Sequence, residues 1–313
     1  MTLPAATGPE TEGSPASLPH AGHNGLRSWT AATQRALEAI SDEAAVEAEL
    51  LVRHATGLDR AGIYANPHQE LTAEQSLALQ ELTARRLRRE PLPYILGEWD
   101  FCGLSFRVSP AVMIPRPETE TLVEEALAWR KHRREADPGP ATIVDVGAGS
   151  GCIAITLAAR LPDDPVLALD VSPNALAVAR DNAARLSVAG RVRLLQSNLL
   201  SAISEPPDLI VANLPYIPDA DVPTLQPEVR LHEPTVALGG GPDGLTLIRQ
   251  LLVQAQSLLS PRGAIILEIN PPQSAALPAE AQDLFPGAVV RVVQDLAGLD
   301  RVIVIDLLGR PAA

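Results

Sequence analysis

The sequence is short of the residues that several classes of protein require. It has two cysteines in 313 residues, Cys102 and Cys152, which cannot form a disulfide framework and include no CxxC pair for a metal site. We therefore expect two buried thiols in a reducing compartment. No apolar run approaches the ~18 residues of a membrane span, and no secretory signal is evident. These absences predict a cytoplasmic protein with no metal and no membrane partner.

Basic charge is also scarce. Lys131 is the one lysine among 25 basic residues, and 38 acidic residues give a formal net charge of −13. A protein that grips nucleic acid through its phosphate backbone usually presents a basic face. The acidic balance therefore argues against direct nucleic-acid binding. Nothing in the sequence indicates an oligomer, and a monomer is the expected state.

The chain divides into four segments by composition and pattern. Residues 1–26 are rich in Pro, Gly, Ser, Thr and Ala and predict a disordered tail. Residues 27–91 show helical periodicity, with Thr72 as an N-cap, and predict a small helical domain that docks the substrate. Residues 92–112 are rich in aromatic side chains between glycine turn points and predict a linking β-hairpin, either as hydrophobic glue between domains or as a wall of a ligand site. Residues 113–313 form the remaining segment.

Strand-like and helix-like runs alternate through this last segment. Runs such as "PVLALDV" and "DLIVANL" are continuously apolar, as strands covered on both faces require. The hydrophobic content of 46% is enough for a large core. We therefore predict an α/β domain with a doubly wound sheet from residue 113 to the end.

A glycine-rich loop follows the first strand of this domain. The sequence "DVGAGSG" has G-x-G-x-G spacing, which suits neither the dinucleotide fingerprint nor the phosphate loop. Glycine permits close backbone approach to a ligand, although a purely structural tight turn would also use it. The loop residues expected to contact a cofactor are Gly147, Ala148, Gly149, Ser150 and Gly151.

An acidic residue ends the second strand. Asp170 lies 19 residues after Gly151, where a carboxylate can accept hydrogen bonds from both ribose hydroxyls of a nucleoside ligand. Simple solvation of a strand end is the alternative. The loop and the acid together favour an adenosyl ligand, and the combination resembles class I methyltransferases that use S-adenosylmethionine. The poor match to a pyrophosphate site agrees, because that cofactor carries no phosphate.

The sequence "ANLPY" ends the fourth strand. Asn213 offers a side-chain acceptor there, and Leu214, held extended by the following Pro215, offers its carbonyl. Two such acceptors can hold both hydrogens of a planar NH2 group while Tyr216 presents an aromatic face to it. The sequence therefore predicts methyl transfer to an amino or amide nitrogen, catalysed by positioning at Asn213, Pro215 and Tyr216.

The flanking sequence resembles one family in particular. The sequences "PLPYILGEWDFCGLSFRVSPAVMIPRPETETLVE", "VRLHEPTVALGGGPDGL" and "DLAGLDRVIVI" are similar to those of the release factor glutamine methyltransferases, the HemK/PrmC family. This family has Asn-Pro-Pro-Tyr where the chain has Leu214 in place of the first proline. The resemblance implies a Rossmann-like methyltransferase domain after a small helical domain. It also implies transfer of a methyl group from S-adenosylmethionine to the glutamine of the Gly-Gly-Gln loop in peptide chain release factors.

The resemblance also assigns individual residues. It implies that Asn198 accepts from the adenine amino group, that Leu199 packs on adenine, and that Asn213 contacts the cofactor as well as the substrate. Residues Asn213, Leu214, Pro215 and Tyr216 would grip the glutamine amide. Glu233, Pro234 and Asn270 have no chemical role that the residues themselves indicate.

Two other functions stay open at this level. An amino methyltransferase acting on adenine or cytosine in nucleic acid shares the Asn213 motif, and the acidic charge and the lack of a separate basic recognition region disfavour it. A non-catalytic cofactor-binding scaffold is the other, and the intact glycine loop, Asp170 and Asn213 disfavour that. The G-x-G-x-G spacing makes an oxidoreductase weaker still.

Overall fold

The computed structural model describes residues 25–307, which divide into one unit ending at Leu96 and one beginning at Gly97. Most of the predicted disordered tail, residues 1–26, lies outside the described residues. The last residue of that segment, Leu26, is the first residue of a helix, and its side chain is buried in the core of the first unit.

The first unit is all-helical. Its helices surround a core that includes Leu26, Trp29, Leu51 and Leu79. The predicted N-cap is present, since the Thr72 hydroxyl accepts from the N–H of Gln75 and the Gln75 side chain accepts from the N–H of Thr72. The helices are α1 (Leu26–Leu37), α2 (Ala44–Thr56), α3 (Arg60–Ala65), α4 (Ala73–Leu87) and α5 (Leu92–Leu96).

The start of the predicted hairpin is wrong, because residues 92–96 form helix α5 instead of extended chain. Pro93 lies in the first turn of this helix, where its missing N–H needs no partner. The Pro91 carbonyl accepts from the N–H groups of Tyr94 and Ile95, and Ile95 packs into the helical core. An apolar, aromatic run alone does not distinguish a short buried helix from a strand.

The hairpin itself is shorter than predicted. Strands β1 (Glu98–Phe101) and β2 (Leu104–Arg107) pair antiparallel. Phe101 and Phe106 meet edge to face with ring centroids 6.2 Å apart, and both are buried in the hydrophobic core of the second unit. The two strands therefore belong to the second unit's core.

The second unit is built on a seven-stranded sheet with the order β5-β4-β3-β6-β7-β9-β8. Strands β3 to β7 are parallel, and β9 is antiparallel to both of its neighbours. The strands are β3 (Ile143–Val146), β4 (Val166–Asp170), β5 (Val192–Gln196), β6 (Leu209–Ala212), β7 (Ala264–Glu268), β8 (Val289–Gln294) and β9 (Asp300–Asp306). The helices are α6 (Glu120–Ala136), α7 (Cys152–Arg160), α8 (Pro173–Arg185), α9 (Pro227–His232), α10 (Thr246–Leu258) and α11 (Leu277–Leu284).

Successive residues of the central strands enter different cores. Ile143 and Val211 face a core shared with helices α6 and α7, whereas Val144 and Ile210 face a core shared with α10 and α11. This three-layer arrangement confirms the predicted Rossmann-like α/β fold. Between residues 25 and 307, no helix is long and apolar enough to cross a membrane.

The strand order reverses between β3 and β6. Strands β4 and β5 lie on one side of β3, and β6 and β7 lie on the other. Ligands of open α/β sheets bind at such a switch point, beyond the carboxyl ends of the strands. The glycine loop after β3 and the Asn213 motif after β6 therefore meet at one edge of the sheet.

Candidate active site

The glycine loop joins strand β3 to helix α7 through a backbone that few other residues tolerate. Gly147, Gly149 and Gly151 have φ values of +78°, +55° and +80°. A Cβ atom on Gly151 would lie 2.8 Å from Ile155 Cδ1 and 3.1 Å from Ala179 Cβ. Glycine is therefore needed both for conformation and for the close packing of α7 and α8.

The carboxylate of Asp170 holds this loop from strand β4. Its Oδ2 accepts from the N–H of Gly149 at 2.8 Å, and its Oδ1 accepts from the N–H of Ser172 at 2.8 Å. Each carboxylate oxygen has a second lone pair. Asp170 can thus shape the loop and still accept hydrogen bonds from a ligand.

A second acid, Asp145, lies beneath the loop in strand β3. It is fully buried, and its Oδ2 accepts from the N–H of Ala154 at 3.0 Å, while Oδ1 has no partner among the described residues. Burial raises the pKa of this carboxyl to about 7, with a further rise from the nearby charge of Asp170. Asp145 is therefore partly protonated near neutral pH, which avoids the cost of burying a full negative charge.

A cavity extends from the glycine loop to Asn213. Among the described residues that line it, Asp170 is the one charged side chain. A pyrophosphate would need basic or N–H-rich partners, whereas the sulfonium and ribose of S-adenosylmethionine suit one acid in a mainly apolar pocket. The residues present therefore fit that cofactor. Sequence-predicted residues on this wall are Gly147, Ala148, Gly149, Ser150, Asp170, Asn198, Leu199, Asn213, Leu214 and Pro215.

A second cavity adjoins the first at the Asn213 motif. Asn213 and Leu214 line both cavities, together with Met113 and Ala237, and Tyr216 lines the second one. The two cavities therefore meet where the sequence predicts the reacting nitrogen. Gly151 lines neither cavity, because it caps helix α7.

A polar chain of side chains that the sequence analysis did not assign supports the motif. The Asn213 Nδ2 donates to Thr119 Oγ1 at 3.1 Å, and this hydroxyl donates to Glu268 Oε2 at 2.6 Å. The Tyr216 hydroxyl donates to Glu268 Oε1 at 3.0 Å. Burial raises the pKa of Glu268, while the two hydroxyl donors oppose that rise. Burial also raises the pKa of Tyr216, so its hydroxyl stays protonated.

The backbone after Asn213 is held by a separate contact. Asn270 and Gln273 form a capping box at the turn after strand β7, and Gln273 Nε2 donates to the Tyr216 carbonyl at 3.0 Å. Gly244 packs against the same carbonyl, since a Cβ there would lie 2.0 Å from the oxygen. Asn270 thus has a role in placing Tyr216.

Glu233 is buried, so it does not belong to an ordinary surface loop. It forms an ion pair with Arg116, whose side chain is partly exposed. Burial raises the pKa of Glu233, and Arg116 opposes that rise. Pro234, the next residue, lines the first cavity, as does Pro115 beside Arg116. The ion pair therefore joins two segments that form part of the cavity wall.

Comparison with known proteins identifies the family of the chain. The family model of the PrmC N-terminal domain matches residues 28–97, and that of the methyltransferase small domain matches residues 134–226. A release factor glutamine methyltransferase of Geobacter sulfurreducens is 45% identical over 73% of this chain and 78% of its own length. The chain belongs to the release factor glutamine methyltransferase family. Another member, from Caulobacter vibrioides, is 41% identical over 89% of this chain and 94% of its own.

Solved structures agree with the methyltransferase fold. The hMettl16 catalytic domain, crystallised in complex with MAT2A 3'UTR hairpin 6, superposes with a TM-score of 0.54. It covers 72% of this chain and 82% of that chain at 15% identity, which shows a shared fold. Membership of the release factor glutamine methyltransferase family confirms the predicted enzyme class. The shared fold confirms the predicted α/β architecture.

Some residues that sequence reasoning missed had a readable signal. Glu268 ends an apolar strand, as Asp170 does, and the same strand-end rule would have placed it at this edge of the sheet. Asn270 and Gln273 have the spacing of a capping box. Thr119 had no such signal, because only the packing of the turn before α6 brings it to Asn213.

Proposed function

We propose that this protein transfers a methyl group from S-adenosylmethionine to the side-chain amide nitrogen of the glutamine in the Gly-Gly-Gln loop of peptide chain release factors. The observation that carries the proposal is the position of Asn213 and Leu214, which line two adjoining cavities at the switch point of the sheet. The names of the curated relatives support the substrate.

The first cavity binds the cofactor in this proposal. The glycine loop supplies close backbone approach, Asp170 accepts from the ribose hydroxyls, and Asn198 and Leu199 contact the adenine. When bound, S-adenosylmethionine supplies an electrophilic methyl group on a sulfonium. Burial raises the pKa of the neighbouring Cys152 thiol to about 12, so this side chain offers no competing nucleophile.

The second cavity admits the glutamine side chain. Asn213 Oδ1 and the Leu214 carbonyl accept the two amide hydrogens, which turns the nitrogen towards the first cavity. Tyr216 lies against the amide plane, and Pro215 keeps the backbone extended. Catalysis then comes from positioning, which can supply several orders of magnitude in rate. The nitrogen loses its proton to solvent after the methyl group has arrived.

Mass spectrometry of an unmethylated release factor tests this proposal. We expect a gain of one methyl group on the loop glutamine after incubation with the protein and S-adenosylmethionine, and no gain with the Asn213→Ala variant. An unmodified glutamine, with the cofactor still bound, would contradict the proposed substrate. Labelled transfer to DNA or RNA in the same experiment would favour the nucleic-acid alternative.

The helical unit is proposed to dock the protein substrate. Its surface exposes Tyr64 and Leu77 at 66% each, although both are large hydrophobic residues. If this surface docks the factor, serine at both positions raises the KM for intact release factor and leaves the KM for a short loop peptide unchanged. An equal change in both KM values would contradict docking. The monomeric state, the cytoplasmic location and the absence of direct nucleic-acid binding stay predictions.

A further inference from the structure

Two side chains next to Asn213 form a buried hydrogen-bond chain that the proposed reaction does not itself require. Glu268 ends strand β7, is 1% exposed and lines neither cavity, and Thr119 lies between it and Asn213. We propose that Thr119 and Glu268 are positioning residues that determine which end of the Asn213 amide faces the substrate. This inference rests on the proposed function, in which Asn213 Oδ1 accepts an N–H of the glutamine amide.

The direction of the chain follows from counting donors and acceptors. In its ionised form, Glu268 accepts at both carboxylate oxygens, from the hydroxyls of Thr119 at 2.6 Å and Tyr216 at 3.0 Å. These two donors and the charge of Arg301 favour the ionised form and oppose the effect of burial. A threonine hydroxyl has one proton, and here Glu268 takes it. Thr119 Oγ1 must therefore accept from Asn213, so its partner is Nδ2, at 3.1 Å. The Oδ1 end is then left to accept from a ligand.

A neutral group at position 268 would remove this constraint. Glutamine there could donate to Thr119, which could then turn its own proton to Asn213 Oδ1. The Asn213 amide would rotate by half a turn and present Nδ2 to the substrate NH2 group, so that two donors would face each other. The carboxylate excludes this arrangement because it has no proton to give.

The same carboxylate holds both ends of the catalytic motif. One oxygen fixes Asn213 through Thr119, and the other fixes the Tyr216 ring directly. Glu268 lies on strand β7, beside β6. One carboxylate therefore sets the positions of both the Asn213 amide and the Tyr216 ring. A small shift of the Asn213 amide or the Tyr216 ring would misplace the amide nitrogen of the substrate glutamine. A displacement of about 1 Å can slow a reaction that depends on positioning by roughly 100-fold.

Kinetics of isosteric variants test the chain. Thr119→Val removes the hydroxyl at constant shape, and we expect kcat to fall roughly tenfold to a hundredfold with unchanged KM for release factor. Thr119→Ser keeps the hydroxyl and restores kcat to within about threefold, and Glu268→Gln loses at least as much as Thr119→Val. The matched control is Thr156→Val, since Thr156 is buried and its hydroxyl has no partner among the described residues.

Two results would show a merely structural role and overturn the inference. One is an equal loss in Thr119→Ser and Thr119→Val. The other is a further loss when Thr119→Val is added to Asn213→Ala, because a residue that acts through Asn213 has nothing left to position there. Wild-type kcat in Thr119→Val would overturn it as well.

A spectroscopic readout separates this inference from the proposed substrate. The side-chain ¹⁵NH2 signal of Asn213, assigned by its loss in Asn213→Ala, reports the hydrogen bond without any substrate. We expect it to shift in Thr119→Val and Glu268→Gln and to stay unchanged in Thr156→Val. An unchanged signal in the first two variants would overturn the inference. If the wild-type protein methylated no release factor, the proposed function would fail and this signal would still decide the inference.

Discussion

Gly244 gives a sharp test of how tightly the backbone of the Asn213 motif is packed. Its φ is +75°, and a Cβ atom there would lie 2.0 Å from the Tyr216 carbonyl oxygen and 2.6 Å from Gln273 Nε2. An ordinary C···O contact is about 3.3 Å, so the Tyr216 backbone would have to move by about 1.3 Å in Gly244→Ala. Gly244 itself lines neither cavity, so the variant reaches the motif only through the Tyr216 backbone.

The expected loss of stability has three parts. A positive φ disfavours alanine by about 1–2 kcal/mol, the hydrogen bond from Gln273 to Tyr216 contributes about 1 kcal/mol, and overpacking adds about 1–3 kcal/mol. We expect the free energy of unfolding in Gly244→Ala to fall by about 3–6 kcal/mol. Among the variant molecules that stay folded, kcat should fall by roughly 100-fold, because Tyr216 moves.

Chemical denaturation and single-turnover kinetics measure the two effects, and the chain offers a matched control. Gly298 has a φ of +76°, and a Cβ there would meet nothing within 4 Å. Gly298→Ala therefore carries the conformational penalty alone, about 1–2 kcal/mol, with unchanged kcat. If Gly244→Ala were no less stable than Gly298→Ala and kept its kcat, Gly244 would not pack against the Tyr216 carbonyl as closely as the 2.0 Å distance indicates.

Three further outcomes are expected. Asp170→Asn should weaken S-adenosylmethionine binding at least tenfold in calorimetry, since an amide oxygen cannot replace both carboxylate acceptors; unchanged affinity would contradict the assignment. The raised pKa of Asp145, about 7, means that the folded state holds this proton more tightly than the unfolded state, so stability falls as pH rises from about 4 towards 7. Asp145→Asn should make the fall of the free energy of unfolding with pH less steep by up to about 1.4 kcal/mol per pH unit. An identical slope in the variant and the wild-type protein would show that folded Asp145 is ionised over this whole pH range. Arg116→Met should lower the free energy of unfolding by about 1.5–3 kcal/mol, the range for a hydrogen bond to a charged group, by leaving Glu233 buried without its ion pair. Adding Glu233→Met should recover part of the loss.

Local sequence determined the parts of the fold that depend on periodicity and chain order. The alternation of apolar strands with helices predicted the α/β domain, and Thr72 predicted the start of α4. The run at residues 92–96 was predicted wrongly as strand, since burial of its apolar side chains in a helical core is a tertiary effect. The antiparallel placement of β9 also depends on contacts between distant segments.

The candidate site also combines residues that the local sequence predicts with residues that only packing brings together. Gly147, Asp170 and Asn213 were readable from the sequence because each lies at or directly after the end of an apolar strand, and parallel strands bring their carboxyl ends to one edge. Local patterns therefore predicted the cofactor class and the chemistry of the accepting nitrogen. The orientation of the Asn213 amide, in contrast, follows from contacts between distant segments. Thr119 and Glu268 lie 94 and 55 residues from Asn213 along the chain, and a hydrogen bond over such a separation depends on packing that no local pattern encodes.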